Sequence, residues 1–196
     1  MLESIELPIL IIVGPSGSGK TTLNSRLIKD YPEIFESSVS YTSRPMRIGE
    51  RDGVHYTFIS TEEFDQMYVD DEFVEYTNYV GSKYGTARSE LKRIQNLGKV
   101  PVLEIDIKGY KQLLNAKLNL KGVFIEPPCL ETLRQRLIKR GCNTEESINK
   151  RVERANQEVE ESLKCHFDFR LPNENLDEAY NSLINKLSEW YPIHKT

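Results

Sequence analysis

Cysteine, tryptophan and histidine are scarce in this chain: three, one and three among 196 residues. Cys129, Cys142 and Cys165 are odd in number and lack metal-ligand spacing. Neither a disulfide framework nor a zinc site is therefore expected, and the thiols read as reduced in a cytoplasmic protein. His55, His166 and His194 belong to no constellation, and Trp190 reads as a packing residue. Long apolar runs are also missing. The longest are about strand length, far below the ~20 residues that cross a bilayer, so no membrane partner is expected. Met1-Leu2-Glu3-Ser4-Ile5-Glu6 is acidic and lacks a hydrophobic run, which argues against a targeting peptide. Positive charge is not in excess. The net charge of −4 supplies no global field for nucleic acid, and an anionic substrate would have to be met by local arginines. Hydrophobic residues make up only 38%, but they cluster in strand-like and periodic runs, so a core is still expected.

What is present is more specific. Gly14-Pro15-Ser16-Gly17-Ser18-Gly19-Lys20-Thr21 is a complete phosphate-binding loop. The apolar run Ile9–Val13 precedes it, and Leu23, Leu27 and Ile28 follow at helical spacing. Strand, glycine-rich turn and helix start thus come in the order the motif needs. Its glycines let backbone N–H groups face anionic oxygens, and the helix N-terminus adds partial positive charge. Lys20 can reach outer phosphates, and the Thr21 hydroxyl can hold Mg²⁺.

The length suggests one domain with inserted parts. Val100–Asp106 and Gly122–Glu126 read as buried strands, the first ending in carboxylates and the second stopped by Pro127-Pro128; Phe167–Leu171 is a weaker third. Leu176, Ala179, Tyr180, Leu183, Ile184 and Leu187 form one helical stripe with Asn175 as its N-cap. Strands alternating with helices imply an α/β fold: a parallel sheet core between helical layers, of the P-loop NTPase type. Residues 38–86 break the rhythm, with short strand-like pieces at Ser38–Tyr41, Val54–Ser60 and Phe73–Tyr79 and a capping box at Ser60–Glu63. This segment reads as a mostly β insertion beside the nucleotide site. Residues 130–165 read as two charged helices; for most of their charges, including Arg154, a solvated face laced with ion pairs is the preferred reading.

Arg44 and Arg47 lie in a turn-rich loop with Ser40 before it and Tyr56 after it. Beside a phosphate loop, two guanidiniums three residues apart suggest a second anion site. Glu75, if it projects toward a ligand, could accept hydrogen bonds from the N1–H and 2-amino groups of guanine; adenine would leave it unpaired. An isolated glutamate is more often an ordinary surface acid. Tyr84-Gly85-Thr86 follows Gly81 and reads as a loop, in which Tyr84 could donate to the phosphate and Thr86 to guanine O6.

Together these motifs resemble guanylate kinase. The likeness runs in order through Gly14–Thr21, Ser40–Glu50, Asp52–Tyr56, Phe73–Tyr76, Tyr84–Thr86, Leu103–Gly109, Phe124–Pro128 and Asn143–Arg151. The resemblance implies Mg²⁺-dependent transfer of the ATP γ-phosphate to GMP, with dGMP as a further acceptor. The core would comprise residues 1–37, 87–129 and 166–196, with a GMP-binding part at 38–86 and a lid at 130–165. It assigns Ser40, Arg44, Arg47, Tyr56 and Tyr84 to the GMP phosphate, Glu75 and Thr86 to guanine, and Gly85 to the GMP side. Glu104 and Asp106 are placed near GMP, and Thr21 and Asp106 near the metal. The glycine loop, Thr22 and Asn173 fall on the ATP side. Lys20, Arg44, Arg136, Arg140 and Arg151 would bear on the reacting phosphates. Glu104 stands where the family usually has aspartate, Thr86 where serine is common, Tyr41 where a smaller residue is found, and Arg170-Leu171-Pro172 replaces a more apolar run. Two other readings remain open: a kinase for another acceptor, and a catalytically silent phosphopeptide-binding module, which would typically lack the loop lysine present here. A cytoplasmic monomer is expected, although no motif carries the oligomeric state.

Overall fold

The structure is a computed structural model that describes residues 7–79, 81–127, 129–139 and 144–193. In chain order its elements are β1 (Ile9–Val13), α1 (Lys20–Asp30), β2 (Phe35–Ser37), β3 (Tyr41–Thr42), β4 (Thr57–Phe58), α2 (Thr61–Val69), β5 (Phe73–Tyr79), β6 (Ser82–Ala87), α3 (Arg88–Asn96), β7 (Val100–Ile105), α4 (Ile107–Asn115), β8 (Leu120–Glu126), α5 (Leu130–Lys139), α6 (Glu145–Ser162), β9 (Phe169–Pro172) and α7 (Leu176–Leu187).

β1 is the centre of the larger sheet, whose order is β2-β7-β1-β8-β9 with every pairing parallel. All five β1 residues are buried, as expected of a strand covered on both faces. Leu10 and Ile12 pack with Leu23 and Leu27 of α1 and with Leu183, Ile184 and Leu187 of α7. Their neighbours Ile9, Ile11 and Val13 pack on the opposite face with Leu91 of α3 and Tyr110 and Leu113 of α4. The alternation of side chains along one strand thus feeds two cores. From β1 the chain crosses to β2, beyond β7, whereas from β7 it crosses back past β1 to β8, so a crevice opens at the carboxyl ends of these strands, where the glycine loop lies.

Residues 41–87 carry a second sheet, ordered β4-β3-β6-β5, with α2 against it through Phe64, which stacks on Phe73 at 4.4 Å. Both halves of the Ser60–Glu63 capping box are formed. Several strand expectations need adjustment. Ser38–Tyr41 meets a strand only at its last residue, where β3 begins, and Val54–Ser60 shortens to β4, because 53–56 close a turn through the Gly53 N–H to Tyr56 carbonyl bond and Ser60 caps α2. The weak third strand begins later, at Phe169, because Asp168 turns its carboxylate to the Gly122 N–H and to Lys121. Tyr84-Gly85-Thr86 is not a loop but the middle of β6, paired antiparallel with both β3 and β5. Gly81, at φ +77°, takes the turn that β6 needed, so the chain is extended again by Ser82. Among the described residues no helix is long and apolar enough to cross a membrane.

Candidate active site

A cleft of about 420 Å³ separates the two sheets, with the glycine loop on one wall and β5, β6 and the Arg44–Arg47 turn on the other. Gly17 and Gly19 have φ of +86° and +101°, a region side-chain-bearing residues avoid, and a Cβ on Gly19 would strike the Asn173 amide. Gly19 is therefore an N-cap without a side chain. α1 starts with no side-chain cap and no acid in its first turn, which leaves its dipole and N–H donors for an anion. Lys20 is curled over this loop, its Nζ donating to the carbonyls of Gly14 at 2.5 Å and Pro15 at 3.1 Å. The next residue, Thr21, donates its hydroxyl to Glu104 Oε2 at 2.9 Å, and one turn on Asn24 donates to Glu104 Oε1 at 2.7 Å. The longer glutamate side chain at the end of β7 thus reaches across to α1.

The opposite wall carries a fork. Arg44, only 9% exposed, grips both oxygens of Glu50 at 2.6 and 2.7 Å, with its guanidinium 5.0 Å from the Tyr56 ring centre and 5.4 Å from that of Phe58. Glu50 also accepts the Arg47 N–H at 2.8 Å. The bonds from Arg44 and then from Arg47 push the Glu50 carboxyl down to about 2, and the Glu50 contact holds the Arg44 guanidinium still more firmly protonated. Ser40, Arg47, Tyr84 and Gly85 line the same wall, with the Tyr84 ring 5.7 Å from that of Tyr56.

Register joins the next pair. Glu75 lies opposite Thr86 in the β5–β6 ladder, just after an irregularity between Phe73 and Glu75, and the Thr86 hydroxyl donates to Glu75 Oε1 at 2.7 Å. Glu75 is 4% exposed, and burial pushes its carboxyl up to about 7 despite the Thr86 bond, with Asp106 adding to the rise. Ser40 Oγ lies 3.3 Å from Thr86 Oγ1, which ties the anion wall to this buried acid.

The third wall is α6. Asp106 caps α4, accepting the N–H groups of Lys108 and Gly109 on Oδ1, while Oδ2 accepts from Arg154 at 3.2 Å. Arg154 also holds Glu158 at 2.9 Å, and burial raises the Glu158 carboxyl above its ordinary range. Arg151, Arg154 and Glu158 all line the cleft. From sequence alone Arg154 reads as one charge of a solvated face. The signal that could have found it is its spacing: three residues after Arg151 and four before Glu158, on one stripe of the helix. Glu50, Asn24 and Glu158 were likewise given no role in that reading.

Other expected residues stand back from the cleft. Asn173 is 1% exposed and lies beneath the loop, donating to the Ser18 carbonyl at 2.7 Å. Arg136 reaches the Asn173 carbonyl at 3.2 Å. Ser18 is buried, and Pro15 and Thr22 are not among the residues lining the cleft. Arg140 lies outside the described residues. Among the described residues no three His, Cys, Asp or Glu side chains converge into a ready metal cage. Mg²⁺ does not need one, since it takes one or two protein oxygens and completes its shell with water and substrate phosphates. The hydroxyl and carboxylate oxygens of Thr21, Glu104 and Asp106 are donors of the kind it prefers.

The guanylate kinase family model matches residues 7–189. Guanylate kinase of Schizosaccharomyces pombe is 37% identical over 183 residues, 93% of this chain and 91% of that protein. That of Neisseria gonorrhoeae is 40% identical over 90% of this chain and 85% of its own, and that of Sus scrofa 35% identical over 92% and 91%. The crystal structure of guanylate kinase from Anaplasma phagocytophilum superposes with a TM-score of 0.73 at 26% identity, covering 94% of this chain and 87% of that one.

Proposed function

The chain belongs to the guanylate kinase family and catalyses transfer of the ATP γ-phosphate to GMP, and we propose which of its residues carry that reaction and how. The supporting observation is the opposition of two cationic anion sites, the loop with Lys20 and the fork of Arg44, across one cleft that also holds a buried carboxylate.

In this reading the N–H groups of the loop and Lys20 bind the ATP phosphates. Arg44 and Arg47 aim the GMP phosphate, helped by Ser40, Tyr56 and Tyr84. A phosphate oxygen of GMP attacks the γ-phosphorus as the bond to the β,γ-bridging oxygen breaks, and ADP leaves. The nucleophile is already an oxyanion, so no protein base is required; the protein supplies alignment and charge compensation. Arg151 lies on the helix facing both phosphates and bears on the equatorial oxygens. Thr21 and Asp106 would hold Mg²⁺, with Glu104 beside them; the ion supplies neutralisation of the β- and γ-phosphate oxygens. Asn173 acts through the loop it supports. A cytoplasmic location is the reading that the few cysteines of the sequence support.

Glu75 reads the purine edge. It would accept from N1–H and the 2-amino group while Thr86 turns its hydroxyl to O6. Initial rates with GMP, dGMP, IMP, AMP and UMP test this. GMP and dGMP should be used well, IMP less, and AMP and UMP at least about a hundredfold less, because a buried polar group left unpaired discriminates strongly. Equal use of AMP and GMP would reject the assignment.

The same carboxyl predicts a pH dependence. Its ordinary value is 4.5 and its value in the folded chain about 7. A raised value in the fold means that its contribution to stability is complete below about 4.5 and is lost as pH rises through about 7. Guanine requires the charged form, so GMP affinity should rise over that upper range. The nucleotide phosphate titrates near 6 as well. Glu75→Gln removes the carboxyl and supplies the phosphate-only profile. A parental affinity profile between pH 6 and 8 that parallels the Glu75→Gln profile would count against a reading carboxylate.

A further inference from the structure

We propose that Gly109 sets guanine selectivity by leaving room for the reading carboxylate, an inference that rests on Glu75 being the guanine reader. Gly109 is buried in the first turn of α4 and has no positive φ, so no backbone requirement explains it. Glycine inside a helix is disfavoured relative to alanine, so its presence there needs a reason of another kind. The reason is distance. A Cβ on residue 109 would lie 2.6 Å from Glu75 Oε2 and 3.3 Å from Glu75 Cδ. The carboxylate therefore rests directly on the α-carbon of Gly109, while its other oxygen takes the Thr86 hydroxyl at 2.7 Å.

The helix cannot readily move aside. One turn further on, Gln112 clasps the Tyr76 backbone with both ends of its amide, accepting from the N–H at 3.0 Å and donating to the carbonyl at 2.7 Å. α4 and β5 are thus fixed to each other one residue beyond Glu75. An added methyl must displace the carboxylate instead. Gly109 is a positioning residue: it touches no substrate but fixes where the reader stands.

Gly109→Ala should raise KM for GMP about tenfold or more and reduce the preference for GMP over IMP, while KM for ATP stays within about twofold. Thermal stability supplies the second readout. The substitution should lower Tm in the parent and raise it in the Glu75→Ala background, where the obstruction is gone and only the helix preference remains. A Gly109→Ala enzyme with parental KM for GMP and parental GMP:IMP preference, beside a Glu75→Ala enzyme altered in both, overturns this inference alone. A Glu75→Ala enzyme with unchanged GMP:IMP preference overturns the guanine reading and the role of Gly109 with it. Should Gly109→Ala alone fail to fold, recovery in the Glu75→Ala background supports the inference and continued misfolding overturns it.

Discussion

Lys20→Ala is expected to lower turnover at least about a hundredfold, a barrier increase of about 2.7 kcal/mol or more. Two features of the loop support so large an effect. The ammonium is already held over the loop by its contacts to the Gly14 and Pro15 carbonyls, so little ordering is needed when phosphates arrive. No other cation lies on the loop itself to replace it. Stability should change little, because Gly14 lines the cleft, where water can take over as donor to its carbonyl. A coupled assay of ADP release gives turnover, and thermal melting shows that the fold is intact. Retention of more than a tenth of the parental rate in a folded variant would contradict the role.

Much of this site was legible in the chain because its parts are local. The glycine loop, the Arg44–Arg47 turn and the Ser60 cap depend on neighbours within a few residues, and such spacing is visible in sequence. The contacts that were not foreseen join residues distant in sequence or depend on register. Thr86 meets Glu75 only because β6 is a strand, and glycines on either side of Tyr84 made that segment read as a loop. Arg154 meets Asp106 only because α6 folds across the end of β7, so its charge was taken for a solvated one. Asn173 is placed on the ATP side only by the family resemblance, whereas its burial beneath Ser18 follows from where β9 joins the sheet.

The cleft also shows why its charges stay in place without ligand. Arg44 is paired with Glu50, and Arg154 with Asp106 and Glu158. Each carboxylate avoids the cost of an unpaired, partly buried cation while keeping the guanidinium aimed inward. In the proposed reading, an arriving phosphate competes for these donors or shares them. Part of the binding energy therefore goes into exchanging partners, a cost that only an anion of suitable geometry recovers.

That exchange makes Arg44→Ala the second large effect. The fork presents two N–H donors in one plane, beside the rings of Tyr56 and Phe58, and both now point to Glu50. Removing it should lower kcat/KM for GMP at least about a hundredfold and leave KM for ATP nearly unchanged, since the loop wall is untouched. Glu50 would keep the Arg47 N–H but lose its guanidinium, so its carboxyl should return toward 4.5 from about 2. Its stabilising contribution, now retained until pH falls through about 2, would then be lost at higher pH, and the variant should become the more acid-sensitive of the two proteins. Arg44→Lys separates charge from geometry. A point charge cannot span two oxygens of a phosphate, so lysine should recover only a minor share of the lost rate. Full recovery by lysine would mean that charge alone suffices at this wall, and the in-line alignment attributed to the fork would have to come from Arg47 instead.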